Sequence, residues 1–198
     1  MDGHFYALLA RMRYIQRWAL MRNTEPENIQ EHSHMVAILA HALALIQNKH
    51  FGGHIDPGQA VLLALYHDAT EILTGDLPTP IKYYNPALRA SYKEVEETAA
   101  NRLLELLPEE LRADYAPYLL HPDPELEAVV KAADKLDAYL KCVKERKAGN
   151  GEFQTAQAQI WDALQANPLP ALGYFIEHYL PSFELTLDEL NGSTHTMF

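Results

Sequence analysis

The apolar run Val61-Leu62-Leu63-Ala64-Leu65-Tyr66 leads straight into His67-Asp68. A carboxylate left unpaired at the end of such a run is expensive to bury, so it demands a cation or dense hydrogen bonding. Glu71 stands four residues after His67 and three after Asp68, which on a helix places all three on one surface. A second anomaly lies near Ile29, where His32 heads a stripe of Val36, Leu39, Leu43 and Ile46 at steps of three and four. His34 aligns with Ile38, His41 and Leu45 on a second, partly apolar face, and periodicity does not choose between the two histidines. The third lies in 124–148, whose apolar face is Val129, Val130, Ala133, Leu136 and Leu140. Asp134 is four residues beyond Val130 and Asp137 four beyond Ala133, so spacing leaves these two aspartates level.

Taken singly, such residues read as a hydrogen-bonded core histidine or a structural Asp–His pair. A metal ion accounts for all of them together, because its own charge neutralises the buried carboxylates. Two imidazoles and two carboxylates form a mixed nitrogen and oxygen set, which suits Mn²⁺, Co²⁺, Fe²⁺, Ni²⁺ or Zn²⁺ better than Ca²⁺. Ligands drawn from three helices leave coordination positions open, which is the mark of a catalytic metal.

The elements that must carry these residues are helical. Apolar positions recur at helical spacing throughout, and strand signals are almost absent, so the expected class is all-α. The spacing predicts helices over Phe5–Trp18, Ile29–Lys49, from Asp56-Pro57 (N-cap and first helical position) to about Thr74, then over 86–107, 108–120, 124–148, 152–166 and 168–180. A loop with three prolines, Gly75-Asp76-Leu77-Pro78-Thr79-Pro80 and on to Pro86, follows the second site helix. No repeat, low-complexity block or linker interrupts the chain. The expected organisation is one helical-bundle domain over 1–190 with a loose tail over 191–198.

Composition narrows the function. A chain of 198 residues suits one domain with a real core. The net charge of −11 disfavours a nucleic-acid polymer, whose binding rests on neutralising many phosphates. A small phosphate ester needs only a local positive site, and Arg11, Arg13, Arg17 and Arg22 crowd one segment. Cys142 is the single cysteine, which rules out an intrachain disulfide and a cysteine-based zinc site. Met1-Asp2-Gly3-His4 does not open a secretory leader, and the stretch Met35–Ile46 is too short to span a bilayer. The expectation is a cytoplasmic protein with no membrane partner.

Glu31-His32-Ser33, Tyr66-His67-Asp68-Ala69 and Ala132-Ala133-Asp134-Lys135-Leu136 resemble the H…HD…D signature of HD-domain phosphohydrolases. In that pattern the Glu-His-Ser context selects His32 over His34, and the Ala-Asp pair selects Asp134 over Asp137. The chain is most similar to the bacterial HD-domain 5′-deoxynucleotidases. Arg17-Trp18, Met21-Arg22-Asn23, His67-Asp68-Ala69-Thr70-Glu71, Thr74-Gly75-Asp76-Leu77-Pro78-Thr79-Pro80-Ile81-Lys82, Ala138-Tyr139-Leu140-Lys141-Cys142 and Pro181-Ser182-Phe183 with Leu187-Asp188-Glu189 carry that likeness. It implies hydrolysis of deoxynucleoside 5′-monophosphates by a cytoplasmic homodimer with one divalent transition metal. It also implies His32, His67, Asp68 and Asp134 as metal ligands. Arg17, Trp18, Asp76, Leu77, Pro78 and Thr79 would face the substrate, joined by His32, Asp68 and Asp134.

Roles follow from chemistry. Arg17 offers a planar fork of donors for phosphate. Glu71 is placed to orient or deprotonate water, or else to support His67. Asp76 serves the leaving oxygen or the sugar, and the flat ring of Trp18 serves to exclude a 2′-hydroxyl. Two other hydrolyses use the same ligands, those of nucleoside triphosphates and of cyclic nucleotides. A helical module that binds nucleotide without turnover is the non-enzymatic alternative.

Overall fold

A computed structural model describes residues 3–82 and 84–192, the side chain of Thr79 aside. Most of the expected tail, and Met1 and Asp2 of the start read for a leader, lie outside the described residues. In chain order come α1 (His4–Leu9), a 3-10 turn (Ala10–Tyr14), α2 (Ile29–His50), α3 (Pro57–Tyr66) and α4 (Glu71–Thr74). There follow α5 (Thr79–Lys82), α6 (Pro86–Glu105), α7 (Glu109–Leu119), α8 (Pro124–Lys147), α9 (Gln154–Gln165), α10 (Pro170–His178) and the short α11 (Leu187–Leu190). Among the described residues β-pairing is confined to one isolated bridge, Gln16 with Asn28.

Local chemistry starts the three long site helices. Asn28 accepts from the N–H groups of Gln30 and Glu31 while Glu31 bonds back to Asn28, a capping box that opens α2. Asp56 and Asp123 cap α3 and α8, each followed by proline, whose missing N–H costs nothing there. α2 is central, packed along α3 and α8, with α10 also against it. Ala40, Ala44, Ala60, Ala64, Ala132 and Ala133 are wholly buried. Such small side chains let helix backbones approach, while Leu43, Leu136 and Leu172 fill the space between. Truncating one such leucine to alanine costs about 2–5 kcal/mol. A smaller cluster of Phe5, Leu103, Leu104 and Leu107 joins α1 to α6 and α7.

Short helices form at α5, inside the expected loop, and at α11, where none was expected; two further departures border the site. The first helix does not reach Trp18; it ends at Leu9, tightens to 3-10 through Tyr14, and Ile15 is extended. From there the chain pairs back on itself: Arg17 N–H donates to the Glu27 carbonyl at 2.9 Å and Ile29 N–H to the Ile15 carbonyl at 3.0 Å. The helix expected to continue to Thr74 breaks after Tyr66. His67 Nδ1 lies 2.7 Å from the Ala64 carbonyl, which in a continuing helix would accept the N–H of Asp68. The imidazole takes that acceptor, and the backbone crosses 67–70 on shorter bonds such as Glu71 N–H to the Asp68 carbonyl.

Candidate active site

Three helices bring four polar side chains to one point. His32 projects from the first turn of α2, His67 and Asp68 stand just past the end of α3, and Asp134 sits midway along α8. His32 Nε2 lies 3.2 Å from Asp134 Oδ1 and 3.5 Å from Asp68 Oδ2, and His67 Nε2 lies 3.2 Å from the same Asp68 oxygen. His34, the rival on periodicity, is exposed on the other side of α2. Asp137 meets the opposite nitrogen of the same histidine: its Oδ2 is 2.6 Å from His32 Nδ1.

Those contacts fix the rings. The Ala64 carbonyl can only accept, so His67 Nδ1 carries its proton there; His32 Nδ1 is met by both Asp137 Oδ2 at 2.6 Å and Arg17 Nη1 at 2.5 Å, and a proton given to Asp137 turns the Nε2 lone pair inward as in His67. Neither Nε2 has a hydrogen-bond partner, although both are buried. Two orphaned imidazole lone pairs facing two carboxylates are what a divalent ion requires. Neighbouring ligands about 2.1 Å from a common ion stand roughly 3 Å apart, close to the separations found here. Ligand atoms of His32, His67 and Asp68 lie within 4.8 Å of one another, a set that fits a transition metal, and Asp134 adjoins it through His32. The groups also shift one another's charge. Burial and Arg17 push His32 down, but Asp134, Asp137 and Asp68 outweigh them and lift it to about 9. Burial raises Asp134, yet His32 and His67 hold it down to about 2. Asp68 is likewise held well below the carboxylate range, chiefly by His67 against the cost of burial.

Arg17 stands beside this cluster with its side chain only 12% exposed. Its Nη1 is 2.9 Å from Glu27 Oε2 and 3.7 Å from Asp137 Oδ2. Burial disfavours its charge, and Glu27, Asp134, Asp68 and Asp137 together more than restore it. Trp18 follows at φ 58°, the one non-glycine residue in the left-handed region among those described. That conformation costs roughly 1–2 kcal/mol and persists only where the surroundings hold it. Here its indole N–H donates to Glu27 at 3.1 Å, its carbonyl accepts from Asn23 at 3.3 Å, and its ring leans on Phe153 at 5.3 Å.

Glu71, the first residue of α4, is buried. Burial together with Asp68 and Asp76 pushes its carboxyl up to about 10, against the pull of Arg17 and Lys82. Asp76 is raised by burial and Asp68 in the same way, though it takes a hydrogen bond from the Trp18 backbone. It stands in the loop that opens at Gly75, whose φ of 73° favours glycine. Leu77 and Pro78 are half-buried in that loop. The side chain of Thr79 lies outside the described part.

The chain matches the family model described as 5′-deoxynucleotidase YfbR-like over residues 4–183. It is 53% identical over 192 residues to a 5′-deoxynucleotidase of Vibrio parahaemolyticus, covering 96% of this chain and 99% of that one. It is also 52% identical to a 5′-deoxynucleotidase of Vibrio cholerae, with the same coverage. The chain belongs to the YfbR-like 5′-deoxynucleotidase family. Solved structures share its fold. An HD-domain phosphohydrolase of Listeria innocua superposes with a TM-score of 0.79 at 22% identity, over 91% of this chain and 88% of that one. An HD phosphohydrolase of cyanophage S-2L, bound to dA and one catalytic Zn²⁺, superposes with a TM-score of 0.61 at 23% identity, over 91% of this chain and 96% of that one.

In this family member the fold adds residues that sequence reading passed over. Asp137 entered it only as a rival ligand, whereas it holds His32 Nδ1 and faces Arg17. Glu27 had no role, because its partners depend on how the 15–29 segment closes. Glu145, buried in α8, accepts from Thr24 Oγ1 at 2.6 Å, Asn150 Nδ2 at 2.8 Å and Lys141 Nζ at 2.5 Å. That network pins the far end of the Arg17–Glu27 loop to α8. A charged pair four residues apart on a helix normally reads as a solvated face, so spacing carries no sign of it.

Proposed function

We propose that the chain is a metal-dependent 5′-deoxynucleotidase, a phosphoric monoester hydrolase that converts deoxynucleoside 5′-monophosphates to deoxynucleoside and inorganic phosphate. The observation that carries this reading is the pair of orphaned Nε2 atoms facing Asp68 and Asp134, with Arg17 and Trp18 alongside. His32, His67, Asp68 and Asp134 would hold one divalent ion, drawn from Co²⁺, Mn²⁺, Zn²⁺, Ni²⁺ or Fe²⁺. Such an ion supplies Lewis acidity toward a phosphate oxygen and lowers the pKa of a bound water.

The chain's own groups do the rest. Arg17, its charge secured by Glu27, binds the phosphate through its fork of donors. Glu71, raised by its burial and by Asp68 and Asp76, is placed to move a proton at the water or at the leaving 5′-oxygen. Asp76, beside the Trp18 backbone, accepts a hydrogen bond from the sugar. The Trp18 ring, with Leu77 and Pro78, would wall the sugar and exclude a 2′-hydroxyl, and Thr79 is assigned to the substrate with them. His32, Asp68 and Asp134 face the phosphate from the metal side.

Phosphate release from a panel of deoxy- and ribonucleoside 5′-monophosphates tests the reading. The expected result is strong preference for dAMP over AMP with little selectivity among bases. Trp18→Ala should narrow that gap mainly by helping AMP. Equal hydrolysis of dAMP and AMP by the wild type would replace the reading with a general 5′-nucleotidase, and release of pyrophosphate or triphosphate from nucleotides would overturn it. The same reading extends to a cytoplasmic homodimer. Supporting the dimer, α2 leaves Ile38 and Leu45 exposed and α3 leaves Leu62 and Leu65 exposed. No helix among the described residues is long and apolar enough to cross a membrane.

A further inference from the structure

One carboxylate oxygen meets two of the residues assigned to the substrate, Arg17 and Trp18. Glu27 Oε2 accepts from Arg17 Nη1 at 2.9 Å and from Trp18 Nε1 at 3.1 Å. The Glu27 carbonyl also accepts the Arg17 backbone N–H at 2.9 Å, so the two residues are tied at main chain and side chain. The Glu27 side chain is 14% exposed, so these bonds form largely out of water, where charge-assisted bonds are strong. Ligand atoms of Glu27, His32 and Asp137 lie within 4.8 Å of one another, a spacing that would suit an ion. The Arg17 guanidinium already supplies the positive charge between Glu27 and Asp137.

The strain at Trp18 adds to this. A left-handed tryptophan has no backbone reason to stay as it is, and the Glu27 bond is one of the contacts that hold it. We infer that Glu27 is a positioning residue that couples phosphate capture by Arg17 to sugar discrimination by Trp18. The inference rests on the deoxynucleotidase reading, in which those two residues face the substrate. Without the Glu27 carboxylate, the indole N–H loses its acceptor and Arg17 keeps only His32 Nδ1 at 2.5 Å and the more distant carboxylates of Asp137, Asp134 and Asp68. Both functions should therefore fail together.

The experiment compares wild type, Glu27→Gln and Glu27→Ala, each also in a Trp18→Ala background, for kcat/KM on dAMP and AMP. Metal content and circular dichroism are recorded for every protein. A second readout needs no turnover. The chain has two tryptophans, Trp18 and Trp161, so ¹⁵N-tryptophan labelling gives two indole signals, with Trp18→Phe identifying the one of interest. Glu27→Ala should shift the Trp18 indole proton upfield and leave Trp161 unmoved. It should raise KM for dAMP and narrow the dAMP to AMP ratio about tenfold, the scale of one charge-assisted hydrogen bond. Glu27→Gln, which keeps one neutral acceptor, should fall between. In the Trp18→Ala background Glu27→Ala should narrow the ratio no further.

Equal loss on both nucleotides with an unchanged ratio would overturn the coupling and leave Glu27 a support for Arg17 alone. An unmoved Trp18 indole signal would overturn it directly. If Glu27→Ala does not fold, Glu27→Gln carries both readouts. A wild type that does not distinguish dAMP from AMP defeats the deoxynucleotidase reading instead, and the indole shift still decides whether Glu27 holds Trp18.

Discussion

Asp134 and Asp137 lie one turn apart on α8 and approach opposite nitrogens of His32, so their removal should separate two kinds of damage. Asp137→Ala takes the 2.6 Å acceptor from Nδ1, freeing the ring to turn and shift its proton, and removes a carboxylate 3.7 Å from Arg17. Losing the outer partner of a ligating imidazole weakens metal binding about 10- to 100-fold, or roughly 1.4–2.8 kcal/mol. Asp137→Asn keeps an acceptor oxygen and should sit at the mild end. Asp134→Ala instead deletes the oxygen 3.2 Å from Nε2, a proposed ligand, and should exceed the roughly 100-fold bound for an outer partner. Titration calorimetry of Mn²⁺ or Co²⁺ into chelator-stripped proteins measures both losses, with melting curves of the stripped forms as controls for folding. A loss for Asp137→Ala equal to or greater than that for Asp134→Ala would refute the assignment of the two nitrogens. Unchanged affinity in Asp134→Ala would remove that residue from the ligand set.

Glu145→Ala leaves the Lys141 ammonium, whose side chain is 3% exposed, with the Glu25 carbonyl but no carboxylate, and should cost about 3–5 kcal/mol in urea unfolding. Against the cost of burial, Lys141, Thr24 and Asn150 hold Glu145 below its ordinary value of 4.5. Its contribution is therefore whole above pH 4.5 and lost as pH falls below it. Glu145→Gln should flatten the acid limb of the stability curve, and an unchanged limb would exclude the ion pair as its source. Glu71→Gln, which mimics the protonated carboxyl but cannot release a proton, should keep metal and nucleotide binding while losing about 10²-fold or more in kcat. Full activity would remove Glu71 from proton transfer. Saturating a stripped protein with Mn²⁺ at 100 times its Kd should add about 2.7 kcal/mol, a rise in Tm of roughly 5–10 °C. A Tm indifferent to both chelator and metal would contradict a site built for an ion.

The helices themselves were readable because each rests on signals close in sequence. Asp56-Pro57 opens α3 by a cap and a proline side by side, and the Val36, Leu39, Leu43 stripe buries α2 by simple periodicity. The His67-Asp68 dyad stood out for the same reason, as a charge set against an apolar run. Periodicity failed where a side chain competed for the backbone. His67 captures the Ala64 carbonyl and ends a helix whose apolar pattern would carry on.

What lay beyond the sequence is whatever depends on a partner far along the chain. Whether Asp134 or Asp137 meets Nε2 is set by the rotation of α8 against α2, which residue spacing along α8 cannot express. The Arg17-Trp18 pair, expected at a helix end, is instead carried on a segment closed by the Gln16–Asn28 pairing and pinned by Glu145. Residue type and spacing determined that nitrogen and oxygen donors would gather in an apolar, helical chain. Tertiary structure decided which atom of each faces the others, because hydrogen-bond direction and ring orientation arise only when separate helices are packed together.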